Sequence, residues 1–246
     1  MRYFINLAYR GAPFHGWQTQ PNAISVQSVI EEALSTITRT PVAITGAGRT
    51  DAGVNARMMI AHVDLPDAID PSDPRFMTAL NSLVGRDIAI YGFRAVHHDA
   101  HARFDATERT YRYYAHTSKD PFCQGLSWQA PANLDFEKMN IAAELMLGRR
   151  DFTSFSKLHT DVKTNICDLR AASWTEYEPG KWYFEISADR FLRNMVRAVT
   201  GTLADVGRGK LKPEDITDII ERRDRGAAGT SMPAGPLFLW HIDYPY

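Results

Sequence analysis

Cysteine is nearly absent from this sequence of 246 residues. Only Cys123 and Cys167 are present, and they fit neither a zinc-ligand spacing nor a CxxC motif. A disulfide-stapled secreted domain and a structural zinc module are both disfavoured, and a reducing, cytosolic compartment is expected. Long apolar runs are missing too. No stretch approaches the ~18 apolar residues of a membrane span. The first residues, MRYFINLAYRG, mix Tyr and Asn among apolar positions, so they read as a strand rather than as the apolar core of a signal peptide. Charge of one sign is also lacking: 28 Lys+Arg face 29 Asp+Glu, for a net charge of -1. A nucleic-acid site would have to come from local clustering rather than from a basic domain. Even the most suggestive stretch, residues 189–225, holds nine Lys+Arg against seven Asp+Glu.

What is present is an ordinary globular composition, 44% hydrophobic and 23% charged, in a chain long enough to bury a sizeable core. Residues 2–9 pattern as a strand. Ser25 is a plausible N-cap for a helix over 26–38, where Val26, Ile30, Leu34 and Ile37 recur at near-helical spacing. Ser28 stands where a capping box would have Glu or Gln, so the box reads as incomplete. Short strands are expected at 42–45 and 58–65, a helix over 71–84 and a strand over 88–96. That order is β-α-β-β-α-β, the ferredoxin-like arrangement.

The second half repeats it with insertions. Strands are expected over 107–117, 168–178, 181–188 and 237–244, and helices over 136–147, 191–206 and from Pro213 to about Arg223. The expected fold is α+β: two ferredoxin-like halves, 1–104 and 105–246, with mainly antiparallel sheets meeting at a central cleft. Junctions of that kind are favoured binding sites. In the helix over 191–206, Arg193 and Arg197 would lie four apart on the face away from the apolar stripe. Like charges at that spacing repel by about 0.2–0.5 kcal/mol, which suggests a nearby anion; a solvated basic face is the plainer alternative.

The most informative segment is Gly46-Ala-Gly-Arg-Thr-Asp-Ala-Gly-Val-Asn-Ala-Arg57. It is no dinucleotide fingerprint, because the third glycine comes too late and a strand pattern follows where a helix should. It is no P-loop either, since no Gly-Lys-Ser/Thr occurs. From local chemistry alone it is a strand-to-strand turn that exposes an aspartate.

The run Gly48-Arg49-Thr50-Asp51-Ala52-Gly53-Val54 nevertheless resembles the motif of the TruA family of pseudouridine synthases. Further blocks resemble that family in its order: Phe14-His15-Gly16-Trp17-Gln18, His101-Ala102-Arg103-Phe104 with Arg109-Thr110-Tyr111-Arg112-Tyr113, Asp151 to Phe155, and Phe191 to Arg197. The resemblance implies a pseudouridine synthase fold and an isomerase that converts uridine to pseudouridine at nucleotides 38, 39 and/or 40 of the tRNA anticodon arm. It implies Asp51 as the catalytic carboxylate, Tyr111 as the residue stacking on the extruded uracil, Arg197 as the counter-charge to the carboxylate, and Arg49 as a contact to phosphate or to the flipped nucleotide.

It also implies a cytoplasmic homodimer that needs no metal and no organic cofactor. Tyr113, two residues along the strand from Tyr111, reads as core. Further phosphate contacts are expected among Arg10, Arg57, Arg103, Arg190, Arg193, Arg208 and Lys210, each also readable as an ordinary surface charge. The chain departs from the family at Asn55, where His is usual, and at Met58-Met59, where a Gly-Gln pair is more typical. The cluster His97, His98, Asp99 and His101 lacks a completing carboxylate pair and is not expected to hold a metal. The rival reading is a catalytically silent RNA-binding protein or RNA chaperone on the same fold.

Overall fold

The computed structural model describes residues 1–157 and 164–246. The chain forms two compact units. The first comprises Met1–Thr107 with Leu239–Tyr246, the second Glu108–Phe238.

In the first unit, β1 (Arg2–Tyr9), α1 (Val26–Thr38), β2 (Ile44–Gly46), β3 (Asn55–Asp64), α2 (Pro74–Leu83) and β4 (Ile88–Ala95) follow the βαββαβ order. β1 lies between β3 and β4, and β2 pairs with β3, every pairing antiparallel. α1 forms where expected because Val26, Ile30 and Leu34 bury one face. Its N-terminus corrects the sequence reading: the capping box is complete. Ser25 Oγ accepts from Ser28 N, and Ser28 Oγ accepts from Ser25 N, both at 3.1 Å. A serine hydroxyl reaches the N-cap amide as a longer carboxylate would. Asp73 caps α2, and Pro74 opens it where a missing amide costs nothing.

In the second unit come β5 (Glu108–His116), β6 (Trp128–Gln129), α3 (Phe136–Glu144), β7 (Gly148–Asp151), β8 (Ile166–Glu178), β9 (Lys181–Ala188), α4 (Met195–Gly207) and α5 (Asp215–Arg222), before β10 (Leu237–Asp243) closes the chain. β9 lies between β5 and β8, and β7 adds to β8, all antiparallel; β6 alone runs parallel to β5. The core is aromatic. Phe136 stacks on Trp182 at 4.0 Å, and Trp174 stacks on Phe184 at 5.3 Å. α4 is buried on nearly every side.

α4 begins four residues later than the apolar pattern suggests. Asn194 takes a left-handed conformation, φ +66°, which ends any helical run through it. Arg193 therefore precedes the helix, and the expected repulsion between Arg193 and Arg197 on one helical face does not arise. Both cysteines are free thiols, Cys167 buried, so they form no disulfide. Among the described residues no helix is long and apolar enough to cross a membrane.

Candidate active site

Asp51 sits between β2 and β3, on a loop fastened at both ends. At its start, Ala47 N donates to Ile60 O at 2.8 Å. Gly46 lies against the indole of Trp17, where a Cβ would come within 2.5 Å of the ring. Only glycine permits that approach. In the middle, the hydroxyls of Thr50 and Tyr9 meet at 2.8 Å in the interior, and Trp17 N donates to Thr50 O at 3.2 Å. At its end, Asn55 is buried and its Oδ1 accepts from Gly11 N at 2.8 Å. Val54 is buried and its N–H donates back to Asp51 O at 3.1 Å. The two residues flanking the aspartate segment thus point inward, while Asp51 stays partly exposed and Arg49 and Ala52 are exposed. Such a loop holds a carboxylate in one place without enclosing it.

Arg10, Arg57 and Arg103 are exposed on the same unit. The Arg57 guanidinium lies 5.9 Å from the Trp240 ring centre, and that of Arg103 lies 5.8 Å from Phe104.

In the second unit, Tyr111 pairs with Ile186 across β5 and β9. Its ring meets Phe191 edge-on at 5.1 Å and 87°, which fixes the plane of a half-buried tyrosine. Tyr113 is fully buried. Burial pushes its phenol well above the ordinary value, and the nearby charge of Arg197 opposes that rise. Arg197, in the first turn of α4, donates through Nε to Met232 O at 2.7 Å, and Met232 N donates to Arg197 O at 3.1 Å. Arg193 is exposed just before the helix, and Arg190 is half-buried just after β9. Arg208 and Lys210 both lean on Asp205, at 3.1 and 3.4 Å. Part of their charge is therefore met within the fold.

A model of the tRNA pseudouridine synthase family matches residues 142–245. The tRNA pseudouridine synthase A of Porphyromonas gingivalis is 56% identical over 99% of this chain and 97% of its own length. That of Bacteroides thetaiotaomicron is 54% identical over 99% and 91%, and that of Bacillus subtilis 36% identical over 99% of each. The chain belongs to the tRNA pseudouridine synthase A family. A chain in the crystal structure of a Cbf5-Nop10-Gar1 complex overlaps 82% of this chain and 53% of its own at 9% identity, but its TM-score of 0.33 is too low to build on.

In this member of the tRNA pseudouridine synthase A family, Asn55 stands where the resemblance implied His, and it is buried. The residue accepts the Gly11 amide through an atom that stands as far along the side chain as the Nδ1 of histidine. Met59 is fully buried in the core and Met58 is half-buried.

His97, His98 and Asp99 bring ligand atoms within 4.8 Å of one another, but all three are exposed. His101 faces elsewhere: its Nδ1 accepts from Arg103 N and Phe104 N at 3.1 and 3.3 Å, and its ring lies 4.6 Å from that of His62. Sequence reasoning missed Tyr9 and Met232, which hold Thr50 and Arg197 in place. Each acts across tens of residues in sequence, and no local signal marks it.

Proposed function

We propose that this member of the tRNA pseudouridine synthase A family isomerises uridine to pseudouridine at nucleotides 38, 39 and/or 40 in the anticodon arm of tRNA, with Asp51 as catalytic carboxylate. The carrying observation is the placement of Asp51. It is partly exposed on a loop pinned at Thr50 and Asn55. In the reaction the N1–C1′ bond breaks, the uracil turns, and a C5–C1′ bond forms. The proton leaves C5 and N1 regains one, so atoms balance with no external reactant. Tyr111 stacks on the extruded uracil, which has lost base stacking worth about 1–3 kcal/mol. Arg197 supplies the counter-charge to that carboxylate. Arg49 contacts the flipped nucleotide or its phosphate. Arg10, Arg57, Arg103, Arg190 and Arg193 are phosphate contacts, with Arg208 and Lys210 the weaker candidates because of Asp205. The protein works as a cytoplasmic homodimer without metal or organic cofactor.

The test is tritium release from tRNA labelled at C5 of uridine. Wild type releases tritium with no added metal or cofactor. Asp51→Asn releases none and still binds tRNA. Equal release from both proteins removes Asp51 from the chemistry, and no release from wild type favours the silent RNA-binding alternative.

A further inference from the structure

We infer that Arg225 is a positioning residue for Arg197, acting through the segment 228–232 without itself reaching the nucleotide. This rests on the reading of Arg197 as the counter-charge given above.

The Arg225 guanidinium gathers that segment. Nη1 donates to Ala228 O and Gly229 O at 3.3 and 3.1 Å, and Nη2 donates to Ser231 Oγ at 3.0 Å. A planar fork suits three acceptors spread over four residues; a lysine ammonium, a point charge, does not reproduce it. Arg225 is itself well founded. The preceding residue, Asp224, donates its N–H to Ser154 Oγ at 2.9 Å, and Ser154 is fully buried with its hydroxyl donating to Ile219 O. Asp224 Oδ1 then accepts from Gly226 N at 2.9 Å.

The gathered segment is laid along the first turns of α4. Gly229 N donates to Thr202 Oγ1 at 2.9 Å. Thr230 O occupies the space where any Cβ on Gly201 would stand, so the segment and the helix touch backbone to backbone. Ser231 Oγ, held by Arg225, accepts from Asn194 Nδ2 at 2.6 Å. Asn194 is the left-handed residue from which α4 starts, a conformation that persists only when its surroundings fix it. Met232 then closes the circuit with Arg197: its N–H takes the Arg197 carbonyl, and its own carbonyl takes Arg197 Nε at 2.7 Å. A guanidinium whose Nε is committed has its plane set, and its two Nη groups face a fixed direction. Arg225 thus sets Met232 O through the segment, and Met232 O sets Arg197.

The experiment compares Arg225→Gln, Arg225→Lys, Ser231→Ala and Arg197→Lys in the full chain. Three quantities are measured: the single-turnover rate of pseudouridine formation, tRNA affinity, and the exchange rate of the Arg197 Nε–H by NMR. In wild type that proton exchanges slowly. In Arg225→Gln it exchanges with solvent, the rate falls about tenfold or more, and tRNA affinity stays within about twofold, as displacement of a catalytic group by a fraction of an ångström implies. Arg225→Lys lies between. In an Arg197→Lys background, Arg225→Gln has little further effect on rate, because the two act as one unit.

An unchanged Arg197 signal in Arg225→Gln overturns the proposal, as does an additive loss in the double variant. If Arg225→Gln does not fold, Ser231→Ala decides by the same signal: protection kept overturns, protection lost supports. If wild type forms no pseudouridine yet Arg197 is protected only when Arg225 is present, the functional reading falls and the positioning stands.

Discussion

The amide of Gly11 and the side-chain oxygen of Asn55 meet at 2.8 Å in the interior, tying the turn after β1 to the first residue of β3. Asn55→Ala leaves that amide buried without its acceptor and lowers unfolding stability by about 1–3 kcal/mol in urea titration. Asn55→His, which restores an acceptor at the same distance from the backbone, stays within about 1 kcal/mol of wild type. An alanine variant as stable as wild type would show that the contact holds nothing.

Tyr113 carries a buried hydroxyl with no hydrogen-bond partner among the described residues. Tyr113→Phe keeps the packing and removes a desolvated donor. Its melting temperature is expected to match or exceed that of wild type, with a gain of up to about 1 kcal/mol. A clear loss would reveal a partner for the hydroxyl.

Tyr111 distinguishes stacking from hydrogen bonding. Tyr111→Phe keeps the ring and the edge contact with Phe191, and retains most of the single-turnover rate. Tyr111→Ala loses roughly ten- to a hundredfold in rate while still binding tRNA, in line with about 1–3 kcal/mol of base stacking. Equal rates for the two variants would end the stacking role.

His62 gives the first unit an acid-sensitive contact. Its Nδ1 accepts from Ala102 N at 3.1 Å, which only the neutral ring can do. Partial burial, with the charges of His101 and Arg2, lowers its pKa from the ordinary 6.5. The unfolded chain therefore takes up the proton first. The stability His62 contributes is complete above 6.5 and is lost as pH falls through the folded value. His62→Asn keeps an acceptor that does not titrate, so its stability profile between neutral pH and about 5.5 is flatter than that of wild type. Parallel profiles would remove His62 as the source.

Elements with one strong face were legible in the sequence; those set by backbone angle or by distant partners were not. Val26, Ile30 and Leu34 announced α1, and strands expected over 168–178 and 181–188 are joined at Gly180, which takes φ +72°. The start of α4 was misread because Leu192, Met195 and Val196 keep an apolar register across Asn194, and hydrophobicity carries no information about φ. β3 was expected from Met58 and begins at Asn55, because Asn55 and Arg57 disguise a strand whose polar side chains have separate tasks. β7, Gly-Arg-Arg-Asp, has no apolar signature, and its pairing with β8 is set by the backbone ladder rather than by an apolar face. At the candidate site the aspartate motif stood out through resemblance, whereas the hydrogen bond between Arg197 and Met232 spans 35 residues and has no signature in either segment.

The bare edge of β2 at Gly46 makes Trp17 an optical reporter. The indole is buried against the strand that leads into the aspartate loop, and its ring centre lies 6.0 Å from that of Tyr9, whose hydroxyl holds Thr50. Trp17 N also donates to Thr50 O, so a shift of the loop changes the environment of that ring, and in a chain whose other four tryptophans are replaced by Phe the emission follows the seating of the loop with no dye attached.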